Sequence, residues 1–355
     1  MKGLVLSGGK GTRLRPITHT SAKQLVPVAN KPILFYVMEN LAEAGIRDVG
    51  VIVGDTAAEI EAACGDGSAW GLKLTYIPQE APLGLAHAVK IAEDFVAGEP
   101  FVMYLGDNLL PGGIKPLVQE FAERKPEAMI LLTSVPDPQR FGVAVLTDDG
   151  RVQTLEEKPE SPRSDLALVG VYLFTKHIFE AVNAINPSAR GELEITDAIQ
   201  WLIDQGREVL PHLVTGWWKD TGKLEDMLEA NRIVLEGARA SNSGDVDSES
   251  KLIGTVVIEE GAVVKRSLIR GPAIIGKGAL IEDAYIGPFT SIYFGCHIRG
   301  SEIEHSIVLE NSSILDIEGK VADSLIGKDV VVTRTSVRPH AYKLSLGDHS
   351  RVEVI

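Results

Sequence analysis

Residues 2–16 read K-G-L-V-L-S-G-G-K-G-T-R-L-R-P. The short apolar run Lys2 to Leu6 predicts a buried strand, and it passes straight into glycines at 8, 9 and 11 followed by cations. A glycine-rich loop after a first strand lets backbone N–H groups approach phosphate closely. Two familiar phosphate loops do not fit. A dinucleotide fingerprint needs glycine where Leu14 stands, and a P-loop needs Gly-Lys-Ser/Thr at its end. Further along, Val49 to Val53, Phe101 to Leu105 and Met129 to Val135 read as strands. Helical spacing recurs over Pro32 to Ala44, Ala57 to Cys64, Ala86 to Phe95 and Ile114 to Arg124. This rhythm predicts an α/β, Rossmann-like domain with a mostly parallel sheet covered on both faces.

Past about residue 240 the period changes. The polar stretch Ser241 to Ser250 reads as a linker or the start of a second domain. Beyond it aliphatic residues recur with a repeat of 17. One column holds Leu252, Ile269, Ile286 and Ile303. A second holds Ile258, Ile275, Ile292, Leu309 and Ile326, and a third Val264, Ile281, Ile298, Leu315 and Val332. Three inward columns with glycine at several turns resemble the hexapeptide repeat of left-handed parallel β-helices, a prism of about five coils. Lys320 is expected to break the first column, and the tail Arg338 to Ile355 to cap the open edge. The domains are therefore expected at 1–240 and 241–355.

Length and charge agree with two globular domains. The chain has 355 residues with 35 Lys+Arg against 49 Asp+Glu, a formal charge of −14. At roughly 150 residues per domain, two cores are expected. The acidic balance argues against nucleic acid or an anionic membrane as partner, since both reward clustered Lys/Arg. Two cysteines, Cys64 and Cys296, fit neither a disulfide framework nor a metal cluster. With no leader and no apolar run near the roughly 18 residues of a span, a cytoplasmic protein is expected.

The glycine loop is followed by Lys23 in Ser21-Ala22-Lys23-Gln24-Leu25-Val26-Pro27 and then by Lys31-Pro32. Together, G-G-x-G-T-R-L-x-P-x-T, K-Q-L-x-P-V and K-P resemble the sugar nucleotidyltransferase family. Gln79-Glu80-Ala81-Pro82-Leu83-Gly84-Leu85-Ala86 is similar to the base-reading loop of its thymidylyltransferase branch. There a carboxamide donates and accepts at once, which suits thymine's N3–H and carbonyls. Leu105-Gly106-Asp107-Asn108, Phe141-Gly142-Val143, Glu156-Glu157-Lys158-Pro159, Val169-Gly170-Val171-Tyr172, Arg190 to Asp197 and Trp218-Lys219-Asp220-Thr221-Gly222 follow in the family's order.

The resemblance implies Mg²⁺-dependent transfer of a nucleotidyl group from dTTP to glucose 1-phosphate, at the first step of a deoxysugar pathway. It implies Arg13 and Lys23 as catalytic residues and Asp107 and Asp220 as metal ligands. For the nucleotide it implies Leu6, Gly8, Gly9, Gly11, Thr12, Gln24, Gln79, Pro82 and Gly84. For the sugar phosphate it implies Asn108, Gly142, Glu157, Lys158, Gly170, Arg190 and Trp218. The β-helix resembles that of a longer branch of the family and is expected to brace an oligomer of identical chains. Alternative readings are uridylyl transfer to another hexose phosphate, and a second, acyl-transferring activity using one of His297, His305, His340 or His349. A nucleotide-sugar sensor without catalysis is disfavoured by retention of Arg13, Lys23, Asp107 and Asp220.

Overall fold

The structure, a computed structural model, describes residues 1–9, 11–110, 112–214, 217–334 and 342–353. The chain divides into two compact units. The first comprises Met1–Lys10, Ser21–Leu25 and Ile33–Asp220; the second comprises Gly11–Thr20, Val26–Pro32 and Thr221–Ile355. This partition differs from a simple boundary at 240, because two early loops and the helix Leu224–Glu236 group with the C-terminal repeat.

In the first unit the strands follow the order Val152–Glu157, Gly142–Leu146, Leu166–Phe174, Phe101–Leu105, Lys2–Leu6, Asp48–Val53, Lys73–Pro78. From Phe101–Leu105 to Lys73–Pro78 every pairing is parallel, as the βαβ rhythm predicts. The strand Leu166–Phe174 instead runs antiparallel to Phe101–Leu105, Ala128–Ser134 and Gly142–Leu146. Alternation along each strand separates two cores. Leu4, Leu6 and Met103 face one, against Ala86, Val89, Ile178, Ile195 and Ile199. Val5, Val102 and Tyr104 face the other, against Leu34, Val37, Met38, Leu41, Leu117 and Phe121. The helix Ile33–Glu43 buries its apolar residues at spacings of three and four. It stops at Gly45 (φ +81°), where the Ile46 N–H donates to the Leu41 carbonyl at 3.1 Å.

The second unit carries three parallel sheets of six, six and five strands, a parallel β-helix in agreement with the left-handed class expected. Ser241–Asn242 and Asp245–Val246 already pair with its second coil, so Ser241 to Ser250 is the first coil and no linker. The 17-residue register fails in two successive coils. Ile292 pairs with Val308 and Ile298 with Ile314, so the first of them has one residue fewer. Val308 and Ile314 are fully buried where Leu309 and Leu315 were expected. A longer coil follows, in which Val321 pairs with Ile303; Lys320 points outward and the first column is unbroken. A one-residue slip exchanges inward for outward side chains, and so a strict period misassigned these positions. Leu252, on the first coil, is 37% exposed although its column is otherwise closed. Of the expected cap, only residues 342–353 are described; Arg338 and His340 lie outside the described residues, as do Lys10 and the last two positions.

Asn231, fully buried on the helix Leu224–Glu236, ties this unit together. Its Oδ1 accepts from the Ala29 N–H at 2.9 Å and from Ser291 Oγ at 2.6 Å, and its Nδ2 donates to the Phe289 carbonyl at 2.9 Å. Asn231→Ala leaves the buried Ser291 hydroxyl and the half-buried Ala29 N–H and Phe289 carbonyl without this partner, at about 1–3 kcal/mol for a fully buried group and less for the other two. We expect a loss of about 3 kcal/mol, read from the denaturant midpoint, with Asn231→Leu no better. A change below 1 kcal/mol would mean water or rearrangement replaces the amide.

Candidate active site

In the first unit, the loops leaving the carboxyl ends of the parallel strands converge, as expected for ligand sites on open α/β sheets. The Ser7 N–H donates to the Ile52 carbonyl at 2.8 Å, the Gly106 N–H to Leu6 at 2.9 Å and the Gln79 N–H to Val53 at 2.8 Å. These bonds put Ser7, Gly8, Gly9, Gln24, Gln79, Gly106 and Asp107 side by side. A Cβ on Gly8 would stand 3.4 Å from Gln79 Oε1, one on Gly9 3.7 Å from Gln24 Nε2, and one on Gly106 2.8 Å from Ser7 Oγ. Ser7 Oγ and Gln24 Oε1 are both buried without a hydrogen-bond partner. Orphaned polar atoms beside a glycine turn are the signature of a site that a polar ligand completes.

Lys23 is 6% exposed, and its ammonium bonds the Asp107 carboxylate and lies 3.6 Å from Asp220 Oδ1. Asp220 reaches this point through the short antiparallel pair Lys219–Asp220 with Asn108–Leu109, in which Asp220 stands opposite Asn108. Burial pushes the Asp107 carboxyl up, but the Lys23 charge and hydrogen bond, with help from Asn108, outweigh it and hold the group below the usual carboxylate range. Asn108 organises the surroundings. Its Nδ2 donates to Asp107 at 3.0 Å, and its Oδ1 accepts from the Gly170 N–H at 3.2 Å and Trp218 Nε1 at 2.7 Å. A Cβ on Gly170 would meet that amide at 2.7 Å, so only glycine allows the contact.

Four of the residues expected for the sugar phosphate, Gly142, Glu157, Lys158 and Arg190, form a second cluster, while Asn108, Gly170 and Trp218 stay with Asp107. Glu157 faces Lys158 Nζ at 3.3 Å and Arg190 Nη2 at 3.4 Å, and accepts from Thr196 Oγ1 at 3.2 Å. Arg190 is held more closely by the buried Glu194, at 2.8 Å. Burial, with the charges of Glu194 and Glu157, raises the Asp197 carboxyl. A Cβ on Gly142 would stand 2.6 Å from Thr196 Cγ2. Trp218 packs edge-on against Phe141, centroids 5.7 Å apart.

The base-loop residues Pro82 and Gly84 also belong to this unit, with Leu6 beneath the turn. The Leu193 N–H donates to the Leu83 carbonyl at 2.8 Å and the Ala86 N–H to Leu193 at 3.0 Å. Gln79 Nε2 donates to the Gly84 carbonyl at 3.3 Å and lies 3.1 Å from His87 Nδ1. The amide hydrogens are thus committed, which differs from the expectation that this carboxamide both donates to and accepts from a base.

Gly11, Thr12 and Arg13 belong to the second unit. There the three terminal guanidinium atoms of Arg13 lie 2.8–3.0 Å from where a Cβ on Gly222 would stand, so the group rests face-on against that glycine. Gly222 was quoted in a motif but given no role; the structure sets it against Arg13, a residue expected to be catalytic. We expect Gly222→Ala to displace the guanidinium and lower kcat about tenfold to a hundredfold with the fold kept. Turnover within twofold of the parent would show that the contact is dispensable.

Ser7, His87, Leu193 and Thr196 were missed because their contributions are positional. Among the histidines weighed for acyl transfer, His297 lies 3.3 Å from Glu282 and His305 2.5 Å from Asp323, both surface pairs on the coils.

A sheet with its carboxyl-end loops gathered around a lysine and two aspartates is the architecture of a nucleotide-sugar transferase, and comparison agrees. The nucleotidyl transferase family model matches residues 2–237, and the chain belongs to that family of enzymes. It is 58% identical over 354 residues to a glucose-1-phosphate thymidylyltransferase of Streptomyces griseus, covering 100% of this chain and 99% of the relative. It is 47% identical over 358 residues to the low-salt glycan biosynthesis nucleotidyltransferase Agl11 of Haloferax volcanii, covering 100% of both. A UDP-glucose pyrophosphorylase complexed with UDP-glucose superposes with a TM-score of 0.58 at 25% identity, covering 67% of this chain and 99% of that one. Among the described residues, no helix is long and apolar enough to cross a membrane.

Proposed function

We propose that this enzyme transfers a thymidylyl group from dTTP to glucose 1-phosphate, releasing pyrophosphate and forming dTDP-glucose. The observation that carries the reading is the Lys23 ammonium set between the Asp107 and Asp220 carboxylates, beside the Gly8–Gly9 turn. The nucleophile is a phosphate oxygen, largely dianionic at pH 7 because its second pKa is about 6, so no general base is required. The barrier is repulsion between two anions. Lys23 places a compact charge where nucleophile and α-phosphate must approach. The family resemblance assigns the departing phosphates to Arg13, whose fork of donors suits them. Ser7 Oγ and Gln24 Oε1 offer unused polar capacity for the nucleotide, and we assign the Glu157, Thr196 and Gly142 cluster to the hexose hydroxyls.

The donor set fits Mg²⁺. The Asp107 and Asp220 carboxylates are hard oxygen donors of the kind Mg²⁺ takes, and they converge on one cation, here the Lys23 ammonium. Asp107 and Asp220 would hold the ion, whose bound charge neutralises phosphate oxygens.

Uridylyl transfer is a second reading, because uracil and thymine present the same imide edge to Gln79. Pyrophosphate release with Mg²⁺, each common NTP and a panel of sugar 1-phosphates tests both. Highest kcat/KM with dTTP and glucose 1-phosphate is expected; a preference for UTP would replace the first reading, and no release with any pair would remove both. The deoxysugar pathway and the oligomer expected from the long branch belong to the same proposal, and the solution mass of the full chain measures the latter.

A further inference from the structure

His87, on the helix Leu85–Ile91, was absent from every expected site, yet its Nδ1 lies 3.1 Å from the side-chain nitrogen of Gln79. The chemistry of that contact is fixed by a third group. The Gly84 carbonyl can only accept, so the atom of Gln79 facing it at 3.3 Å is the amide nitrogen. That same nitrogen faces the imidazole, so Nδ1 accepts and the ring proton sits on Nε2. Burial, with the charge of Lys90, holds His87 below the usual histidine range, which keeps the ring neutral and its Nδ1 lone pair free.

Both hydrogens of the Gln79 amide are then used within the protein. Only Oε1 is left to face the nucleotide, and it does so across Gly8, where a Cβ would stand 3.4 Å away. An acceptor fixed at that place suits a base whose ring edge offers N3–H, as thymine and uracil do. Cytosine offers a ring lone pair there instead, and two acceptors repel. A freely turning carboxamide would lose this discrimination, because it could rotate to present its NH₂ to cytosine N3.

We propose that His87 is a specificity-positioning residue: by accepting from Gln79 Nε2 together with the Gly84 carbonyl, it locks the carboxamide with Oε1 toward the base and so excludes cytosine nucleotides. The inference rests on the reading of Gln79 as a base contact and adds what orients it. A leucine or phenylalanine at 87 removes the acceptor, whereas asparagine keeps one, its Oδ1 standing close to the place of Nδ1.

The experiment uses the full chain and measures kcat/KM for dTTP and CTP by pyrophosphate release, with KM for glucose 1-phosphate as a control. The parent enzyme decides the underlying reading: if it prefers neither dTTP nor UTP, the base site is misassigned and the inference falls with it. Given a parent that prefers dTTP, His87→Phe should lower the dTTP-to-CTP ratio about tenfold or more while the sugar-phosphate KM stays within about twofold. His87→Leu is a second acceptor-free variant, in case the larger ring perturbs the helix. His87→Asn should keep the ratio within about threefold of the parent. An unchanged ratio in both acceptor-free variants, or an equal fall in the Asn variant, would overturn the role of the Nδ1 lone pair.

Discussion

Lys23→Met is expected to lower the rate of the chemical step about a thousandfold while dTTP still binds within about tenfold of the parent affinity. The expectation follows from what surrounds the ammonium. Lys23 is nearly buried, bonded to Asp107 and 3.6 Å from Asp220, so methionine keeps the volume and leaves two carboxylates facing each other without their cation. Removing one partner of a buried pair costs about 3–5 kcal/mol. Part of that cost is structural, and pH separates it. The Asp107 carboxyl titrates below its ordinary range in the folded chain, so it contributes stability that is present above the unfolded pKa and lost as pH falls through the folded one. Without Lys23 that depression goes, and the variant should lose less stability than the parent on acidification. Single-turnover rates set against dTTP affinity supply the functional test. Equal losses in both would mean that Lys23 only holds the nucleotide.

The placement of this site was partly legible and partly not, for a physical reason. Short continuous apolar runs bounded by glycine, aspartate or proline located Lys2–Leu6, Asp48–Val53, Phe101–Leu105 and Ala128–Ser134 to within a residue or two, because strands buried on both faces leave no alternative pattern. Lys73–Pro78, half-exposed, and Val152–Glu157, with Gln153 and Thr154 inside it, carry weaker patterns and were not read. The β-helix columns were legible except at the coil that lost a residue, where Leu309 and Leu315 were read for Val308 and Ile314; the longer coil after it restores the register at Ile326 and Val332. Nothing local brings Lys23 to Asp107, 84 residues away; only likeness to a family suggested the pairing, and the sheet supplies it through adjacent strand ends. His87 lay outside even that likeness, since its role depends on which end of a neighbouring amide points where.

Gly84→Ala should be the most damaging single-atom-scale change in the base loop. Gly84 has φ +103°, and an added Cβ would stand 2.3 Å from the Leu193 carbonyl oxygen and 2.7 Å from its nitrogen. Both obstacles are backbone, which cannot swing aside as a side chain does. To make room the loop must retreat, breaking the Leu83–Leu193 and Leu193–Ala86 bonds and moving the carbonyl that holds Gln79. Leu193 lies between Arg190 and Glu194, so the displacement reaches the sugar-phosphate cluster as well. We expect kcat/KM to fall about a hundredfold or more for dTTP and for glucose 1-phosphate together, since misplacement by about 1 Å already costs that much. Gly98→Ala separates this from backbone strain alone: Gly98 also has positive φ (+77°), but a Cβ there meets nothing within 4 Å. That variant should lose about 1–2 kcal/mol of stability and keep its activity. If Gly84→Ala lost only as much as Gly98→Ala, or affected dTTP alone, the base and sugar loops would not be mechanically joined through Leu193.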